Sequence, residues 1–164
     1  MTVDELISCP KVIERKRKPP FKEDFRHRKM SIELVCPDAN PKMSMFLRML
    51  KDFPEDFTVG LKLDGPNAIM EYDIVLLRFQ GPHGGQSGTQ TLYDLHNSYH
   101  IHEYTEEDMM RRRKRASYKC DGNFSSFEEA IIKFLERCNI SDPNGIFNEE
   151  REMIMQLRMI FENF

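Results

Sequence analysis

Between Met30 and Phe79 apolar residues recur at every second position, a period that a β-strand satisfies and a helix does not. Phe57, Val59, Leu61 and Leu63 fall on one side of such a segment, with Thr58, Gly60 and Lys62 on the other. Met30, Ile32 and Leu34 alternate in the same way, and so do Met43, Met45, Leu47 and Met49. Ile69 to Phe79 holds the run Ile74-Val75-Leu76-Leu77, which is apolar toward both faces and marks a central strand. Segments rich in Pro, Asp, Asn and Gly break the pattern at 37–41, 52–56 and 64–67, where turns are expected. Tyr99 to Tyr104 reads as one more strand, with His100, His102 and Tyr104 sharing a face.

Helical periodicity follows. Thr105 can cap a helix whose first turn holds Glu106, Glu107 and Asp108. Ser125-Ser126-Phe127-Glu128 fits a capping box, and Phe127, Ala130, Ile131, Phe134, Leu135 and Cys138 then form one apolar stripe. Asn148 can cap a last helix with a stripe of Met153, Ile154, Leu157, Ile160, Phe161 and Phe164. Strands that precede helices predict an α+β fold. The expected form is an antiparallel sheet of about four to six strands with two or three helices, the C-terminal ones packed on one face. Residues 29–164 are expected to form this single domain. Before it, Thr2 can cap a short helix from Val3 to Ser8, and the whole segment 1–28 reads as a basic N-terminal arm, extended around Pro19-Pro20.

A chain of 164 residues suits one domain, and 40% hydrophobic with 31% charged residues fits a folded protein. No apolar run approaches the ~20 residues of a membrane span. The acid-bearing N-terminus does not read as a secretory signal. Cys9, Cys36, Cys120 and Cys138 are widely spaced with no Cys-x-x-Cys pair, so neither a zinc knuckle nor a redox pair is indicated, and reduced thiols in a cytoplasm are the simplest reading.

Charge is segregated along the chain. Lys11 to Lys29 carries nine cations and three anions, and Arg111 to Cys120 carries six cations and no anion. Lys16, Arg17, Lys18, Arg26 and Arg28 could join Arg111, Arg112, Arg113 and Arg115 on one face, where a phosphate backbone would bind with release of counterions. RNA or another polyanion is therefore the expected partner. A solubilising surface whose charges compensate one another is the competing expectation.

His96, His100 and His102 lie just before the run Arg111 to Arg115. Imidazole titrates near neutral pH and can serve as general acid or base. Metal-free RNA cleavage needs such groups for the 2′-hydroxyl and the leaving oxygen, and a cation for the phosphorane. His100, His102, Tyr104 and one arginine of the run would supply them. A metal is the other chemistry of a His-x-His pair, with Asp94, Glu103 or His83 as a third ligand. None of these stands at a recognised spacing, so no metal or cofactor is expected. Gly81-Pro82-His83-Gly84-Gly85 could cradle phosphate through its backbone, although it lacks the Gly-x-x-x-x-Gly-Lys signature.

Leu76-Leu77-Arg78-Phe79-Gln80-Gly81-Pro82-His83-Gly84, followed by His100-Ile101-His102-Glu103-Tyr104-Thr105 and Ser126-Phe127-Glu128-Glu129-Ala130, resembles a pattern in small prokaryotic proteins. Some of those resemble toxins of two-gene toxin–antitoxin modules. The resemblance spans about residues 31–140. It implies a compact α+β protein of mobile-element or defence type that acts on RNA, with Arg78, His83, His100 and His102 as its site. The rival expectation is a non-enzymatic protein-binding module, an inhibitor, antitoxin-like or phage-encoded protein. Its contact face would be Met-rich strands and acidic helices. An exposed edge strand would permit a dimer.

Overall fold

The computed structural model describes residues 1–37, 41–83 and 98–163. The candidates His96, Asp94, Gly84 and Gly85, and Phe164 of the last helical stripe, lie outside the described residues.

The chain runs α1 (Val3–Ser8), β1 (Lys11–Val12), β2 (Lys22–Glu23), β3 (His27–Leu34), β4 (Met43–Leu50), β5 (Phe57–Leu63), β6 (Ile74–Gln80) and β7 (His100–Glu103). It continues through α2 (Glu106–Met110), β8 (Tyr118–Asp121), α3 (Phe127–Arg137), β9 (Ile140–Ser141) and α4 (Asn148–Glu162). The α+β architecture is the expected one, with a larger sheet. Among the described residues, β2 to β8 form a seven-stranded sheet in chain order, each neighbouring pair antiparallel. The additional strands β2 and β8 form its two edges. They are mostly exposed, so they carry no apolar alternation to betray them.

Register sorts the sheet into two unlike faces. Ile32, Met45, Leu61 and Leu77 lie side by side on one face, as do Leu47, Val59, Phe79 and Ile101. On this face sits α3, with Phe134 edge-on to Phe79 at 5.4 Å and Phe127 edge-on to Phe57 at 5.1 Å. Burial of Ile131, Phe134 and Leu135 stabilises this contact by roughly 1.5–3 kcal/mol for each side chain. Ser126 caps the helix by accepting from the Glu129 backbone N–H.

The opposite face is polar. Lys29, Arg48, Thr58, Gln80, His100 and Asp121 form one row across it. Ser31, Phe46, Gly60, Arg78, His102 and Lys119 form the next. Gly60 is required here, because a Cβ would stand 2.2 Å from the Phe46 ring that crosses it.

Three expectations need correction. The segment 1–28 is not a detached arm: Val3, Leu6, Ile7 and Ile13 are buried in the main core, and β1 pairs in parallel with β9. The apolar spacing of α1 drives this, while exposed Lys16 and Arg17 keep the arm character in the second half. The strand expected from Ile69 starts only at Ile74. Asn67 accepts from the backbone N–H groups of Ile69 and Met70, both at 2.9 Å, and so holds that stretch as a turn. Finally, the stripe of α4 is not core. Ile154 is buried, but Met153, Leu157, Ile160 and Phe161 are exposed, and Phe147 rather than Asn148 occupies the cap position.

Lys11 ties the ends of this fold together. It is wholly buried, and its ammonium donates to the carbonyls of Ile7 at 2.6 Å, Cys9 at 2.8 Å and Cys138 at 2.8 Å. Burial lowers its pKa, and three carbonyl oxygens satisfy its three donors. Lys11→Met keeps the apolar stem but leaves those acceptors unpaired. A loss of about 2–3 kcal/mol in urea unfolding is expected, and an unchanged midpoint would show that the tie is dispensable.

Candidate functional site

Strand alternation and register build the site on the polar face. The pairing of β6 with β7 sets Arg78 opposite His102 and Gln80 opposite His100. On either side, Arg48 stands opposite Thr58 on β4–β5, and Lys119 opposite His102 on β7–β8. Gly81 ends β6 in a tight approach, since a Cβ there would fall 1.9 Å from the Glu55 carbonyl oxygen. That passage returns His83 over the sheet toward His100.

The three imidazoles gather. His83 Nε2 lies 3.1 Å from His100 Nε2, and the His100 and His102 ring centroids are 4.9 Å apart. Their ligating nitrogens all fall within 4.8 Å of one another. His100 Nδ1 is 2.8 Å from the Ser98 carbonyl oxygen, which can only accept, so that nitrogen carries a proton. His100 Nε2 is also 3.0 Å from Gln80 Oε1, and the Gln80 amide donates to Thr58 Oγ1 at 3.0 Å. His100 is 0% exposed and His102 4%, so both sit beneath the surface of the face.

Above them opens a cleft of about 390 Å³, lined by Arg48, Asp56, Arg78, Gln80, His83, His102, Arg115, Ala116 and Lys119. Four cations from four separate segments thus meet two imidazoles and one carboxylate. Among the described residues Arg48, Arg78, Arg115 and Lys119 form no ion pair. The Arg78 guanidinium is the least exposed of them, and among the described residues its Nε has no hydrogen-bond partner. Burial lowers its pKa, and Arg115 and Arg48 push in the same direction. Burial raises the Asp56 carboxyl, against the pull of Arg48 and His27.

The turn after α2 delivers Arg115. Asp108, 0% exposed, holds it: the carboxylate accepts from Arg113 at 2.8 Å, from the Thr105 backbone N–H at 2.9 Å and from that of Ser117 at 3.0 Å. Thr105 and Asp108 complete a capping box at the start of α2. Arg112 adopts a left-handed φ of 52°, which turns the chain back toward β8.

The expected site residues therefore divide. Arg78, His83, His102 and Arg115 share the cleft, with His100 beneath it. Tyr104 does not reach it. Its hydroxyl lies 2.6 Å from the Arg113 carbonyl oxygen and 3.0 Å from that of Asp108, so it braces the arginine turn. Half of the other expected cations meet carboxylates of the chain itself: Lys18 with Glu150, Arg28 with Glu23 at 3.3 Å, Arg111 with Glu107 at 3.0 Å and Arg113 with Asp108. Arg26 lines a neighbouring cavity with His27, Asp52, Asp56 and His83. Lys16, Arg17 and Arg112 are outside the cleft. Sequence reasoning missed Arg48, Lys119 and Asp56. Arg48 was findable, because alternation along β4 puts it on the polar side.

No protein-family model, curated protein or solved structure matches this chain.

Burial alone would raise the Asp108 carboxyl, but hydrogen bonds from Arg113, Ser117 and Thr105 outweigh it and hold the pKa well below the usual carboxylate range. A lowered pKa means that the stabilisation is present in full above that range and is lost as pH falls through the folded value. Asp108→Asn is expected to cost about 2 kcal/mol near neutral pH and to flatten the acid limb of stability. Urea unfolding between pH 7 and 3 checks both.

Proposed function

We propose that the cleft binds a phosphate-rich ligand, with RNA the favoured class. The single observation that carries this reading is Arg78. A half-buried guanidinium whose buried Nε has no hydrogen-bond partner among the described residues, flanked by Arg48 and Arg115 and without a carboxylate partner there, is electrostatically incomplete. Burying a charge is costly unless it is paired. A phosphate would supply the opposite charge and the acceptor oxygens that a guanidinium fork matches. Lys119 and Arg115, nearer the surface, suit neighbouring phosphates of a chain, and the cationic row continues toward Lys29 and Lys62 beside another cavity of the same face.

Metal-free acid–base cleavage by His100 and His102 draws less support from this arrangement. His100 is enclosed and does not line the cleft. The mobile-element or toxin setting rests on the short motif resemblance alone.

The test is RNA oligonucleotide binding, by fluorescence anisotropy, at two salt concentrations. Arg78→Met/Arg115→Ala should weaken binding at least about tenfold and make the salt dependence shallower by about two phosphate contacts. Lys16→Ala/Arg17→Ala should change it little. Equal affinity of wild type and the Arg78/Arg115 variant, or no binding by wild type, refutes the reading.

A specific feature favours a second reading, a protein-binding module. The outer turns of α4 expose Met155 at 62%, Met159 at 62%, Ile160 at 53% and Phe161 at 75%. Such a cluster is unusual without a partner, and methionine suits adaptable contacts. No helix among the described residues is long and apolar enough to cross a membrane. Under this reading Met159→Ser/Phe161→Ser changes unfolding free energy by less than about 0.5 kcal/mol, measured in urea. A large loss would show that these side chains support the fold instead.

A further inference from the structure

We propose that His83, His100 and His102 form a transition-metal site, with zinc(II) the ion that suits them best, and that its open coordination position faces the cationic cleft. Four observations converge. The ligating nitrogens lie within 4.8 Å of one another. Zinc–nitrogen bonds of about 2.0–2.1 Å at tetrahedral angles place two ligand nitrogens about 3.3–3.4 Å apart. The His83 Nε2 to His100 Nε2 separation is 3.1 Å, so this pair already stands near that spacing.

Second, His100 is oriented by a backbone carbonyl. The Ser98 oxygen 2.8 Å from His100 Nδ1 accepts that nitrogen's proton, so Nε2, which stands 3.1 Å from His83 Nε2 and 3.0 Å from Gln80 Oε1, is the nitrogen that would ligate, a metal replacing the contact with Gln80. A metal-bound histidine is commonly oriented by such a bond through its other nitrogen. Third, the donor set is three imidazoles, two of them buried. Nitrogen donors select zinc, copper or nickel over magnesium and calcium, which prefer oxygen. Fourth, His83 and His102 line the cleft while His100 lies under it. A bound ion therefore has protein on one side and Arg48, Arg78, Arg115 and Lys119 around its free side.

Three protein ligands with a fourth position left for water or substrate is the arrangement of catalytic rather than structural zinc. The nearby guanidinium groups repel a dication, so the site binds metal more tightly when an anion bridges them. A phosphate oxygen fits that role. This last feature rests on the phosphate-binding reading, whereas the metal site itself does not. Thermodynamic linkage then requires phosphate to tighten zinc by the same factor that zinc tightens phosphate.

The experiment uses the 164-residue chain stripped with EDTA, then titrated with zinc(II) by calorimetry and with cobalt(II) by visible absorption. One equivalent of metal is expected, with a cobalt spectrum of low coordination number. His83→Ala, which alters a half-buried loop residue, should lose at least about 100-fold in affinity. His102→Gln should do the same, and circular dichroism should show both variants folded. Arg78→Met/Arg115→Ala should keep the metal while losing RNA, which separates failure of the metal site from failure of phosphate binding. Absence of stoichiometric uptake by wild type, or uptake by folded His83→Ala as tight as wild type with an unchanged cobalt spectrum, overturns the proposal.

Discussion

The antiparallel ladder between β6 and β7 is the constraint on which the rest of the site depends. Side chains alternate across a strand, so one register decides which partners face each other and which face of the sheet they occupy. Here the register that sends Phe79 and Ile101 toward α3 necessarily sends Arg78, Gln80, His100 and His102 the other way. A slip by one residue would bury a guanidinium against phenylalanines. Hydrophobic burial on one face therefore enforces polar convergence on the other, and the site is a consequence of the core rather than an addition to it.

That arrangement leaves charge unbalanced where it is hardest to bear. Several cations elsewhere are compensated locally, through Glu23, Asp24, Glu107, Asp108 and Glu150. Among the described residues Arg48, Arg78 and Arg115 have no such partner, and Arg78 is driven toward lower pKa by burial and by the two other arginines. A group that burial and neighbouring charges perturb in the same direction, sitting in a cleft, is a candidate functional residue. The buried Lys11 is a useful contrast. It is even more enclosed, yet three carbonyls satisfy it, so it reads as a brace.

Much of this was legible in the amino-acid order, and the illegible parts share a cause. The strands near Met30, Met43 and Phe57 and the stripe of α3 announce themselves, because each buries one face and repeats with its own period. The edge strand β8 buries too little to leave such a mark. The stripe of α4 misleads in the opposite sense, since apolar spacing signals a face to be covered without saying by what. At the site, His100 and His102 stand out by spacing and Arg115 by charge. Arg48 and Lys119 are ordinary strand residues until pairing places them beside the others.

Sequence by itself determined the periodicities, and with them the α+β class, the caps of α1, α2 and α3 and the polar side of the strands that alternate, because these depend on neighbours within a few positions. Tertiary structure alone decided which cations remain without carboxylates, which histidines share a volume and that Tyr104 braces a turn. Those outcomes depend on register and loop return between residues far apart in the chain. Coulomb and hydrogen-bond energies act through space over a few ångströms, a distance that sequence separation does not report.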